Sequence, residues 1–373
     1  MQKFDHLNVI HTGQLPSPRE LTQELPAAPS LCYFIESSRQ QIRQILENRD
    51  PRLLLIVGPC SIHDITAAKE YAIKLHELSK EVSDTFYIVM RAYFEKPRTS
   101  RGWKGLLYDP LLNSGHDIAT GLRWTRQLLL EFAELGVPVA TEFLDPVSAN
   151  YFADLISWGC IGARTAASQT HRQMASGLPM PVAFKNSTDG NIDIAINGII
   201  NGASPHTFIA VNDAGKVSKA QTVGNSHGHL VLRGGKGEPN YDPKSIAGAI
   251  EKLQRVDLLP HLLVDCSHDN AYRQHDQQPI VFQSVIHQVM EGNSNIRGLL
   301  VESNLFAGSQ PLASAKSDLR YGVSITDPCL DWATTEQLIR WGRTVLKKET
   351  ENVFSEYSIH QESFPHISSQ SSI

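Results

Sequence analysis

The chain has 373 residues, 41% hydrophobic and 20% charged, enough for two ordinary domains or one large barrel with a substantial core. Its 34 basic and 39 acidic residues leave a net charge of −5, so no global basic field points to nucleic acid. Five scattered cysteines argue against a disulfide scaffold, no run approaches the ~18 apolar residues of a membrane span, and the N-terminus lacks an apolar signal core, so a cytoplasmic enzyme or small-molecule binder is expected.

In chain order, residues 1–30 carry Gly13, Pro16, Pro18, Pro26 and Pro29 with little periodicity and read as an N-terminal extension outside the main core, expected to lie between subunits. Residues 31–350 alternate short apolar runs with helical patterns. Strands are expected at Leu53–Val57, Phe86–Met90, Val137–Ala140, Cys160–Ala163, Pro181–Phe184, His229–Leu232, Leu262–Asp265 and Gly298–Val301. Helices are expected at Ile65–Ser79, Asp117–Leu135, Val147–Trp158, Gln169–Gly177, Gly190–Asn201, Pro243–Arg255 and Pro279–Met290. A β-hairpin at about 206–223, turning at Asn212-Asp213-Ala214-Gly215, interrupts the alternation before strand six. Residues 351–373, rich in Ser, His and Glu, are expected to form a tail without fixed structure. The alternation predicts an α/β fold: a single (β/α)8 barrel of the TIM type.

Chemistry in such a barrel belongs at the carboxyl ends of the strands. Those ends carry Arg91, Lys96, Arg164, Lys185 and Arg233, with Arg98 and Lys236 nearby. Packed like charges call for an anion, and arginine forks and the Gly234-Gly235 backbone suit phosphate and carboxylate oxygens. Because the chain as a whole is acidic, this local cluster points to a compact phosphorylated metabolite. The same rim presents Cys60, His268 and Glu302, followed by Asp327, a mixed donor set suited to Mn²⁺, Fe²⁺, Co²⁺ or Zn²⁺. Its spacing matches no compact metal motif, so on the residues alone the metal stays open.

The runs Gly58-Pro59-Cys60-Ser61-Ile62-His63-Asp64, Met90 to Thr99 and Gly102-Trp103-Lys104-Gly105-Leu106 carry a resemblance. So do Gly162-Ala163-Arg164-Thr165, Ser168 to Arg172, Leu232-Arg233-Gly234-Gly235-Lys236 and Asp265-Cys266-Ser267-His268. Together they resemble the type I 3-deoxy-D-arabino-heptulosonate 7-phosphate (DAHP) synthases over residues 4–345. The N-terminal Met1-Gln2-Lys3 and the run from Met174 to Pro181 look most like the tyrosine-sensitive bacterial form.

The resemblance implies condensation of phosphoenolpyruvate with erythrose 4-phosphate, the first step of the shikimate pathway. It implies that Arg91, Lys96, Arg164, Lys185 and Arg233 hold phosphoenolpyruvate, beside Ala163 and Glu142, with Glu142 handling a water. Arg98 and Thr99 would take the phosphate of erythrose 4-phosphate. Cys60, His268, Glu302 and Asp327 would bind the divalent metal. Lys96 and His268 are the expected proton carriers. Feedback inhibition by tyrosine or another aromatic amino acid is implied at Asn8, Pro146, Val147, Pro179 and Phe208, in a homodimer or homotetramer. Ala167, Gln173, Pro179, Ser187 and Asp269 depart from common family residues; Asp269 stands where a small residue is usual. Cys329, two residues beyond Asp327, is expected to approach Cys60. A synthase for another aldose phosphate and a silent paralogue are the rival readings, opposed by the Lys96-Pro97-Arg98-Thr99 run and by the intact cation and ligand sets.

Overall fold

The strands form because eight apolar runs can be buried on both faces only by parallel pairing under a helical shell. The structure, a computed structural model, describes Asn8 and residues 12–312 and 316–361, with side chains through residue 347. Two helices come first, α1 (Pro18–Glu24) and α2 (Pro29–Leu46). The barrel opens with β1 (Leu53–Gly58), α3 (Ile65–Glu81), β2 (Phe86–Arg91), α4 (Ile118–Glu134), β3 (Val139–Glu142) and the single turn α5 (Ala149–Phe152). It continues through β4 (Trp158–Ile161), α6 (Gln169–Gly177), β5 (Val182–Lys185) and α7 (Asp193–Gly202). The hairpin β6 (Thr207–Val211) and β7 (Val217–Gln221) precedes β8 (Gly228–Leu232), α8 (Pro243–Gln254), β9 (Leu262–Asp265), α9 (Gln278–Met290), β10 (Ile296–Glu302) and α10 (Trp332–Gln361).

Eight strands close in the order β1-β2-β3-β4-β5-β8-β9-β10, every pair parallel, as expected for a (β/α)8 barrel. The antiparallel hairpin stands outside the barrel and pairs Thr207 with Gln221 through Val211 with Val217. Helix starts follow local chemistry: Asp64 accepts from Thr66 N and Ala67 N to cap α3, and Asp117 and Asp242 cap α4 and α8.

One apolar layer lies between strands and helices, and a second fills the barrel with Leu54, Ile56, Val89, Ala140, Trp158, Ala183, Val231, Leu263 and Leu300. Ile42, Ile45 and Leu46 of α2 join that inner layer. Arg297 Nε donates to Ile45 O at 2.8 Å, fixing the end of α2 against β10. The helix therefore plugs the end of the barrel opposite the strand carboxyl ends.

Four local expectations shift. The helix expected over Val147–Trp158 is cut to α5 and a 3-10 turn at Ala153–Leu155, because Trp158 enters the barrel as the first residue of β4. Its Nε1 donates to His229 Nε2 at 3.0 Å. Strands β3 and β4 accordingly start two residues later and two earlier than expected. Within the extension, residues around α1 pack on their own chain: Arg19 pairs with Asp213 at 2.7 Å, and Tyr151 Oη donates to Pro16 O at 2.7 Å. Helix α10 runs to Gln361, so part of the expected tail, 351–361, is helical; residues 362–373 lie outside the described part. Among the described residues no helix is long and apolar enough to cross a membrane.

Candidate active site

The carboxyl ends of β1, β2, β5, β8, β9 and β10 bring buried charge to one rim. Gly58 makes the first approach possible. At φ +151° a Cβ there would meet Arg91 O at 2.8 Å, so only glycine lets β1 turn out beside β2. That turn places Pro59 O as an acceptor for Arg91 Nε at 3.2 Å and presents Cys60 to the rim.

Cys60, Glu302 and Asp327 form the densest donor group, with their ligand atoms all within 4.8 Å of one another. Cys60 Sγ is 3.6 Å from Asp327 Oδ2. His268 stands at the edge of this group, its Nε2 3.9 Å from Glu302 Oε1. The ring is aimed by Asp265 Oδ2 at 3.0 Å and Ser267 Oγ at 2.6 Å, both on Nδ1. Ser267 Oγ donates to Asp265 Oδ1 at 2.7 Å, so Nδ1–H donates to Ser267 Oγ beside that carboxylate and Nε2 keeps its lone pair toward the cluster, the arrangement that orients a metal-binding histidine. A soft thiol, an imidazole and two carboxylates around one space fit a divalent transition metal. Burial, and Glu302 next, push the Cys60 thiol up to about 12, with Lys96 pulling the other way. Asp327 is solvent-exposed at the lip of the site; against the partial loss of water around it, Lys96 and then His268 hold its carboxyl down at about 2.

The cations surround this group, and three of them are held from behind by acids. Arg91 Nη2 donates to Glu302 Oε1 at 2.7 Å, Lys185 Nζ to Asp265 Oδ2 at 2.6 Å and Arg233 Nη1 to Asp269 Oδ2 at 2.8 Å. Lys96 Nζ reaches Cys60 O at 3.1 Å and Cys60 Sγ at 3.2 Å. Burial alone would lower Lys96, but Cys60, Asp327 and Glu302 raise it above the ordinary lysine value. Tyr93 floors the site, with the Arg91 guanidinium 3.8 Å from its ring centroid. Two buried donors, Arg91 Nη1 and Arg233 Nε, have no hydrogen-bond partner among the described residues. Such groups cost free energy unless something binds them, and an anion from outside is the natural partner.

Farther out, Arg164 Nε donates to Thr99 Oγ1 at 3.2 Å, drawing together the loops after β4 and β2. Arg98, Gly102 and Trp103 line a cleft of about 440 Å³ with Ser309, Gln310 and Thr326. Glu142 is buried at the end of β3 with its carboxylate against Gly162, next to Ala163. The sequence reading missed Asp265, which anchors both Lys185 and His268. It lies in the quoted run from Asp265 to His268, so its place at a strand end was the available signal. Burial opposes its ionisation, but Lys185 and then His268 hold it well below the usual carboxylate range.

A second pocket of about 550 Å³ lies between α5, α6 and the hairpin, lined by Pro146, Val147, Gln173, Met174 and Phe208 among others. Pro179 is turned outward, its carbonyl accepting from Arg43 Nη2 at 3.0 Å, and does not line this pocket. Asn8 is exposed and is not among the lining residues of the single chain. Ser187 turns away from the rim, its hydroxyl bonded to Asp189 within its own loop.

Fold and site together define a (β/α)8 barrel that gathers buried cations beside a thiol–carboxylate group able to hold a metal ion. The chain belongs to the DAHP synthetase I family, whose profile matches residues 33–340. It is 48% identical over 343 residues to the Tyr-sensitive phospho-2-dehydro-3-deoxyheptonate aldolase of Escherichia coli K12, covering 91% of this chain and 96% of that protein. With the Trp-sensitive protein of that strain the identity is 47% over 339 residues, 91% and 97% of the two chains. The solved phospho-2-dehydro-3-deoxyheptonate aldolase of Francisella tularensis superposes with a TM-score of 0.89 at 39% identity, covering 91% of this chain and 99% of that one.

Proposed function

We propose that this chain condenses phosphoenolpyruvate with erythrose 4-phosphate to give DAHP and inorganic phosphate, opening aromatic biosynthesis. The observation that carries the reading is the pair of buried, partnerless donors, Arg91 Nη1 and Arg233 Nε, beside the Cys60–Glu302–Asp327 group. Arg91, Lys96, Arg164, Lys185 and Arg233 hold the phosphate and carboxylate of phosphoenolpyruvate. Arg98 and Thr99 take the phosphate of the aldose.

Cys60, His268, Glu302 and Asp327 would hold a divalent metal, which when bound supplies Lewis-acid polarisation of the aldehyde. The enolpyruvate methylene carbon forms the new C–C bond to the aldehyde carbon. Lys96, kept protonated by its acidic neighbours, gives its proton to the oxygen that becomes alkoxide. Water, oriented by Glu142, adds to the cationic carbon left behind, and phosphate departs by C–O cleavage. Asp265 and Ser267 fix Nδ1 of His268, so that Nε2 is kept for the metal. The pocket lined by Val147 and Phe208 receives an aromatic amino acid, tyrosine first, as inhibitor in a cytoplasmic homodimer or homotetramer. Calorimetry tests the substrate assignment. Arg91→Ala and Arg233→Ala should each weaken phosphoenolpyruvate binding by at least about tenfold, and wild-type affinity in both would refute it.

A further inference from the structure

Asp269 does something in this site that neither the family match nor the cation set requires. It follows His268 in a tight turn in which His268, Tyr272 and Arg273 all have left-handed φ, of 58°, 48° and 60°. The turn closes on itself through Arg273 N donating to His268 O at 2.7 Å. Within it the Asp269 carboxylate is shared, Oδ1 with Arg273 Nε at 2.9 Å and Oδ2 with Arg233 Nη1 at 2.8 Å. The Asp269 side chain is 3% exposed and Arg233 4%, so this pair lies where water does little to weaken it.

Glu302 and Asp265 also back a cation, but Glu302 belongs to the proposed metal cluster and Asp265 aims His268. Asp269 touches neither the cluster nor His268 through its side chain, and its charge is spent on Arg233 and Arg273 alone. Asp269 therefore occupies Nη1 of Arg233, while the buried Nε has no partner among the described residues. A fixed negative charge at that position stabilises the unliganded site and opposes the arriving phosphorylated anion.

We infer that Asp269 is a positioning residue that sets the affinity for phosphoenolpyruvate: it holds Arg233 in the empty site and weakens binding of the anion that Arg233 receives. The inference rests on Arg233 being a phosphoenolpyruvate ligand. Failure of the wild-type enzyme to turn over would remove that reading, whereas the variants below address Asp269 in active enzyme.

The experiment compares wild type, Asp269→Asn and Asp269→Glu as full chains with Mn²⁺ present. Asn keeps the size and one acceptor but drops the charge. The Michaelis constant for phosphoenolpyruvate should fall about tenfold in Asp269→Asn, that for erythrose 4-phosphate should hold, and inorganic phosphate should compete more strongly. The melting temperature without substrate should drop, and phosphoenolpyruvate should raise it by more than in wild type. Asp269→Glu, still charged, should not tighten binding. A purely structural role would lower stability without tightening the anion. An unchanged or higher phosphoenolpyruvate constant in active Asp269→Asn overturns the inference. A variant that folds only with phosphoenolpyruvate or phosphate present supports it, since the anion then replaces the missing carboxylate. One that stays unfolded in saturating phosphoenolpyruvate contradicts it.

Discussion

Lys96 Nζ stands 3.2 Å from Cys60 Sγ, yet the thiol beside this cation is pushed up, not down, to about 12. Burial and the Glu302 carboxylate outweigh the lysine. The thiol therefore keeps its proton at neutral pH until a metal displaces it. Asp327, at about 2, is already ionised and contributes no proton. Titration of Mn²⁺ or Zn²⁺ into metal-free protein at pH 7 should release about one proton per site from this thiol, read by calorimetry in buffers of different ionisation enthalpy. Cys60→Ser should lose that proton and most of the affinity. The same proton count in the variant would contradict the assignment.

Lys96 is raised by Cys60, Asp327 and Glu302 against the opposing effect of burial, so it remains a proton donor across the neutral range. Its removal should act on the chemical step. Lys96→Ala should lower kcat by about 10²- to 10⁴-fold, the usual worth of a positioned general acid, with circular dichroism unchanged. A loss confined to the Michaelis constants would make it a binding residue only.

Cys329 is a free, buried cysteine whose thiol is raised well above its ordinary value by burial first and Cys60 next. Both thiols reach Asp327, Cys329 Sγ donating to its carbonyl oxygen at 3.6 Å and Cys60 Sγ lying 3.6 Å from its Oδ2. Peroxide treatment of metal-free protein should yield a linked Cys60–Cys329 peptide in mass spectrometry, and bound metal should suppress it. Absence of that peptide would rule the pairing out.

His229 is fully buried in the barrel, bonded to Trp158 Nε1 and the carbonyl of His227, and burial lowers it to about 4. Its folded value lies below its unfolded value of 6.5, so the unfolded state binds the extra proton as pH falls. Stability is unaffected above pH 6.5 and is lost between there and about 4, by up to about 3 kcal/mol. Urea unfolding at pH 7 and pH 4.5 should show this loss in wild type and a smaller one in His229→Gln. Equal losses would assign the acid sensitivity elsewhere, His63, also lowered to about 4 by burial, being the first candidate.

Phe208 faces the pocket between α5, α6 and the hairpin together with Val147. An aromatic ligand there would gain much of its affinity from ring packing. Phe208→Ala should raise the concentration of tyrosine giving half-inhibition by at least about tenfold. Unaltered inhibition would move the effector elsewhere.

The barrel was legible because parallel strands buried on both faces write unbroken apolar runs, and all eight were found. The ends of β3 and β4 were not, since Trp158 could serve a helix or a strand until the barrel interior claimed it. The plug formed by Ile42, Ile45 and Leu46 left no motif, only an amphipathic pattern whose partner is distant in sequence. At the site, residue type and strand-end position named the cations and the metal donors. What sequence could not say was which acid backs which cation. Asp265 pairs with Lys185 across 80 residues, and Asp269 with Arg233 across 36. The histidine tautomer likewise follows only once Asp265 and Ser267 are seen on Nδ1.

The most direct test is steady-state phosphate release from phosphoenolpyruvate by purified, metal-reconstituted protein, with erythrose 4-phosphate or arabinose 5-phosphate as the acceptor. The account predicts metal-dependent turnover with erythrose 4-phosphate, equal amounts of DAHP and phosphate, and strong discrimination against the five-carbon aldose. No turnover with erythrose 4-phosphate under Mn²⁺, Fe²⁺, Co²⁺ or Zn²⁺ would contradict it.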